Sequence, residues 1–190
     1  MHTTLTANQL SGRATGSLFF VGFGALWLIL AFYVRQSLSA ITICAVTTGT
    51  LLLLAGSSAL FRHARRFPRV PDDPAIGRAF GRINAVQWIA VFVLAFSFAR
   101  LHIDAYVLSA ITAIIGLHMF PLARLFRYPM HHITGAVLVG WAAVSIFVAP
   151  AGHLQGVTAL GTGIILWLSS AATLALAYRV ALSSQRDLVA

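Results

Sequence analysis

Within Gly116–His132 the chain reads GLHMFPLARLFRYPMHH, placing three histidines, two arginines and two prolines where an apolar run gives way to a polar one. Neutral imidazole is a ligand for transition metals and for haem iron, and a hydrogen-bonding group in a membrane interior. His118 lies about 9 Å of helical rise before Arg124, inside the apolar run but near its end. His131 and His132 open the next apolar run on the same side, and His63 closes an earlier one. A haem or metal site would therefore draw on His63, His118, His131 and His132. Two features oppose it: adjacent histidines point to different helical faces, and no HxxxH or ExxH spacing is present. Interfacial hydrogen bonding or head-group contact is the plainer use of these side chains.

A second constellation is amide-centred. Asn84 and Gln87 are polar residues early in an apolar run, and with Arg82, His118 and Arg124 they would line a pocket for a neutral or anionic solute. Their plainer role is hydrogen bonding between helices. Pro121, three residues after His118, removes a backbone donor and frees a carbonyl that His118 is placed to meet. Enzyme chemistry is poorly served. The chain has no Glu, and its four acids, Asp72, Asp73, Asp104 and Asp187, all lie outside the apolar runs. Intramembrane hydrolysis lacks its acid pair, its HExxH zinc site or its base-served serine. Cation coupling, which usually employs an intramembrane carboxylate, is disfavoured as well.

The elements that must position these residues follow from composition. Of 190 residues, 59% are hydrophobic and 9% charged, against about a quarter charged in soluble domains. A helix needs about 20 residues to cross a hydrocarbon core of ~30 Å. Six runs qualify: Ser17–Val34, Leu38–Phe61, Ile83–Ala99, Ala105–Leu122, Ile133–Ala149 and Val157–Val180, with one long connection over 62–82. The expected fold is an all-α, polytopic bundle of six transmembrane helices, a single membrane domain over 1–190. The first run reads as a retained span, not a cleaved signal.

All 13 basic residues are arginine, and the net charge is +9. In a soluble protein that charge suggests nucleic acid; here the arginines flank apolar runs, so nucleic-acid binding is not expected. With the N-terminus inside, only Arg35 and Arg100 face out and eleven arginines face the cytoplasm, which predicts an N-in, C-in protein. Anionic lipid head groups are the expected partners, with a homo-oligomer as a further expectation. The arginine-only, alanine- and glycine-rich usage points to a GC-rich bacterium and its inner membrane. Cys44, alone in an apolar run, forms no disulfide within one chain and reads as a packed core residue.

Caps and packing can be anticipated too. Asp73 before Pro74 signals a helix start in the cytoplasm, ahead of the third span, and Asp104 resembles the N-cap of the fourth. On the third helix Gly77, Gly81, Asn84 and Trp88 share a face. Small residues recur at heptad spacing in Ser17/Gly24/Ala31, Thr42/Gly49/Gly56, Gly135/Ala142/Ala149 and Gly156/Gly163/Ser170/Ala177, predicting close helix packing. Ser109, Thr112 and Gly116 form a separate small face on the fourth. The second, fourth and sixth spans each end in an aromatic residue followed by Arg, compatible with a threefold hairpin repeat and equally with interfacial belts.

Residues Gly116, Leu117, His118, Pro121, Leu122, Ala123 and Arg124 resemble a Gly-Leu-His-x-x-Pro-Leu-Ala-Arg run of an uncharacterised family of small bacterial six-helix integral membrane proteins, and FGRINAVQW is similar in kind to the opening of that family's preceding span. The resemblance implies the six-helix fold and no activity. Three functions remain in view: a transporter-like or channel-like protein for a neutral or anionic solute, a haem- or metal-binding membrane protein, and a scaffold or regulatory subunit whose arginine loop, with Arg65 and Arg66, docks a partner.

Overall fold

Thr6 starts the first helix. Its hydroxyl accepts from Gln9 N while the Gln9 side chain accepts from Thr6 N, a reciprocal capping box. The computed structural model describes residues 6–186, and α1 (Ala7–Val34) therefore begins well before the apolar run expected at Ser17, carrying Arg13 within it. Ser39 and Thr42 cap α2 (Ala40–Ala64) in the same way. Asp73 accepts from Ala75 N at 2.8 Å and Pro74 occupies the first turn of α3 (Pro74–Arg100), as the sequence predicts. Asp104 departs from expectation. It opens a 3-10 turn, Asp104–Tyr106, and no side chain caps α4 (Val107–Leu125); the Asp104 carbonyl instead accepts from Gln155 Nε2 at 2.8 Å. Met130–Val148 forms α5 and Leu154–Arg186 forms α6.

All six helices are long and apolar enough to cross a membrane, and among the described residues there is no strand. The chain is an all-α, multi-pass membrane protein. Three helices end without glycine in the left-handed conformation, at Gln36 (φ 51°), His102 (φ 56°) and Arg127 (φ 49°). Each end is closed by a six-to-one backbone bond: Ser37 N to Phe32 O, Ile103 N to Phe98 O, and Tyr128 N to Ala123 O.

Packing follows the small residues. α1 runs antiparallel to α6 in a register that sets Ser17 against Ser170 at 2.6 Å and Gly24 against Gly163. A Cβ on Gly163 would lie 2.9 Å from Gly24 O, so the two backbones touch there. α4 meets α5 likewise: a Cβ on Gly116 would lie 2.8 Å from Gly135 O. Glycine is required at these crossings because any side chain would drive the backbones apart. Indoles fill the remaining slots, Trp167 between Gly24 and Gly49 and Trp141 over Gly161. Their Nε1 atoms donate to Val21 O at 3.3 Å and Thr158 O at 3.0 Å.

Buried hydroxyls tie helices together in place of charges. Ser17 bonds both Ser57 and Ser170, linking α1, α2 and α6, while Ser109, Ser145 and Thr158 form a triangle across α4, α5 and α6. Thr112 with Thr162 and Thr134 with Ser169 extend the ladder. Such bonds contribute about 0.6 kcal/mol each in membranes, rising to about 1.7.

α6 is the common partner, touching α1, α2, α4 and α5. By contrast α3 rests chiefly on α4 and the turn before it, and none of its residues is buried. Cys44 is exposed on α2, not packed in the core as its surroundings in the sequence suggest. The loop after α2 is pinned to the start of α1: Asn8 donates to Asp72 Oδ1 at 2.7 Å and accepts from Val70 N at 3.0 Å, and Ala7 N donates to Pro68 O.

Candidate functional site

The close α4–α5 crossing at Gly116 and Gly135 fixes the level at which the end of α4 and the start of α5 meet α1. Arg127, in the left-handed conformation, reverses the chain between them, and Tyr128 O accepts from His131 N at 3.2 Å to start α5. This turn aims His131 at α1. Its imidazole is 9% exposed and stands edge-on to three aromatic rings: Tyr128 at 5.2 Å and 90°, Phe20 at 5.8 Å and 86°, and Phe126 at 6.4 Å and 69°. Gly16 of α1 lies against this imidazole, where a Cβ would sit 4.0 Å from His131 Cε1, an ordinary contact distance. One turn nearer the N-terminus, the Arg13 guanidinium lies 5.2 Å from the centre of the Tyr128 ring.

Buried polar atoms without a hydrogen-bond partner in the protein are gathered here. They are His131 Nδ1 and the Tyr128 hydroxyl, whose rings are 5.2 Å apart, and, on the adjoining α4, both ring nitrogens of His118. A buried polar group left unpaired costs about 1–3 kcal/mol, so these atoms at the adjoining ends of α4 and α5 are not accounted for by packing alone. Chemically the group offers N–H and O–H donors and imidazole lone pairs beside a cation and apolar ring faces.

The other residues singled out in the sequence are distributed differently. His118 does not bond a carbonyl freed by Pro121, because neither of its nitrogens has a partner. The Asn84 amide donates to Phe80 O, one turn back on its own helix, at 3.1 Å. Gln87 is half-buried on the same helix, while Arg82 and Arg124 are exposed. His132 turns away from His131's cage, its ring 5.7 Å from that of Phe120 and tilted by 43°. His63 belongs to another cluster, beside Phe67 and Tyr178 at 5.7 and 6.2 Å, with its Nε2 buried and unpartnered. Among the described residues no three His, Cys, Asp or Glu side chains come together as a metal-ligand set, so the four histidines do not converge on one centre. Arg13 and Tyr128 were missed as site residues. Both read from sequence as interfacial flanks, and only the capping box at Thr6 hints that α1 extends far enough to carry Arg13 into the bundle.

No family model matches the sequence, and no curated protein and no solved structure matches it either.

Proposed function

We propose that this chain is a small transporter-like protein of a bacterial inner membrane, with both termini in the cytoplasm, and that it takes a neutral or anionic solute at a cytoplasm-facing site centred on His118 and His131. The unpartnered, buried polar atoms of His118, His131 and Tyr128 carry this reading, because a bound solute with donors and acceptors would satisfy them. A carrier fits better than an open channel. The α1–α6 and α4–α5 seams are closed by backbone contact, and α3, resting chiefly on α4, is the helix least held in place. Asn84, Gln87, Arg82 and Arg124 then belong to the approach to the site and not to its centre. The likeness of the Gly116–Arg124 run to a six-helix family is part of this proposal and supplies no substrate.

Proteoliposomes holding the purified protein, challenged with iso-osmotic neutral and anionic solutes and followed by light scattering, test it. At least one solute should enter faster than in protein-free vesicles, and His118→Ala should remove the difference. Identical rates for every solute would refute transport.

A second reading, haem or metal binding, draws on the same unpaired imidazole nitrogens. An absorption spectrum and elemental analysis of natively purified protein decide it. A stoichiometric metal or haem band lost in His118→Ala would favour the cofactor over the solute.

A further inference from the structure

We infer that the site binds a monocarboxylate with an apolar tail, the carboxylate held by the Arg13 guanidinium, the Tyr128 hydroxyl and His131 Nδ1. The inference rests on the reading above that His118 and His131 handle a solute. Arg13, Gly16 and Phe20 share one face of α1 by helical spacing, and the latter two flank the His131 imidazole. Arg13 is half-buried and held over the Tyr128 ring, which fixes its cation beside a phenol whose oxygen is buried and unpaired. The acids among the described residues are otherwise engaged: Asp72 with Asn8, Asp73 as the N-cap of α3, and Asp104 at the opposite end of the bundle.

A carboxylate matches this set. Its two oxygens accept from the guanidinium and from one N–H or O–H donor each, giving charge-assisted bonds. The surrounding surface is aromatic, with Phe20 and Phe126 against His131 and Phe80 against Phe126 at 5.8 Å. Those rings accept a hydrocarbon tail and would leave a phosphate dianion's second charge desolvated and unpaired. A neutral amide forfeits the attraction of Arg13. Aqueous carboxylates and fatty acids of the bilayer share this head-group chemistry, so the probes must include both.

The experiment uses the full-length protein in lipid nanodiscs, with calorimetric titration of benzoate and of its neutral analogue benzamide, and with laurate supplied in the bilayer. Benzoate should bind about tenfold or more tightly than benzamide. Arg13→Gln and His131→Gln should each weaken benzoate by about tenfold or more, and Arg13→Lys should restore part of the loss. Arg13→Gln removes a half-exposed side chain and should leave the melting temperature close to that of the parent. Laurate binding alone, with the same losses in the variants, would retain the carboxylate and assign its source to the bilayer. Benzamide binding as tightly as benzoate, or benzoate binding indifferent to Arg13→Gln, would overturn the inference while the solute reading stands. Failure of every carboxylate to bind while another solute crosses the vesicles would do the same; no binding and no passage would sink both.

Discussion

His118 brings two buried nitrogens to a place where the protein gives neither a partner. If those atoms serve a ligand and not the fold, His118→Leu should stabilise the protein by about 1–3 kcal/mol, the penalty of the unpaired groups it removes, while abolishing solute entry. Thermal unfolding in detergent alongside the vesicle assay checks both halves, and a destabilised His118→Leu would mean the imidazole is structural. Glycines separate as sharply. Gly163→Ala places a methyl against Gly24 O and Leu28, where backbone must move, so it should cost about 1–3 kcal/mol. Gly22→Ala, whose Cβ meets nothing within 4 Å, should be close to neutral; equal melting temperatures for the pair would contradict the α1–α6 crossing. At this scale the sequence exposed His118 and His131 as unusual but hid their companions. Arginines and aromatics at helix ends are what any membrane protein has, and nothing local separates Arg13 or Tyr128 from a belt.

Among elements, α3 stands apart. Its exposed side chains include Val86, Trp88, Ile89, Phe92, Val93 and Phe96, and its N-terminal turns carry the open glycines Gly77 and Gly81. Few tertiary contacts hold it, so its backbone should open locally more readily than that of α1 or α6. Hydrogen exchange in nanodiscs should show faster exchange across 74–85 than across the first turns of α1; equal protection would argue that another surface covers α3. The helices themselves were legible from hydrophobic length, and the α3 start from Asp73–Pro74. Misread boundaries have a physical cause. α1 is started by the Thr6/Gln9 box and not by the onset of apolarity, and the chain before α4 takes a 3-10 turn in which Asp104 lends its carbonyl, not its carboxylate. Helical periodicity also assigns no face in a helix apolar all round, which is why the outward position of Cys44 was not legible.

For the whole molecule, heptad glycines and serines foretold close crossings but not which helices cross. The aromatic–arginine hairpin ends were compatible with a threefold repeat and equally with interfacial belts; the packing is centred on α6, with α4 against α5 and α3 at the edge. Six spans put both termini on one side, and in the orientation proposed from the arginine bias that side is the cytoplasm. Fluorescent-protein fusions at either terminus, which mature only inside the cell, should both glow; a dark fusion at one end would break the six-span topology.

The pairing of α1 with α6 has a consequence for biosynthesis. α1 leaves the ribosome before its partner α6, so Ser17 and Gly24 wait, facing lipid or insertion machinery, through the synthesis of the spans between them. A chain stopped before α6 lacks the common partner of four helices. Such chains should reach the membrane and be cleared there by proteases, making α6 a checkpoint on the bundle.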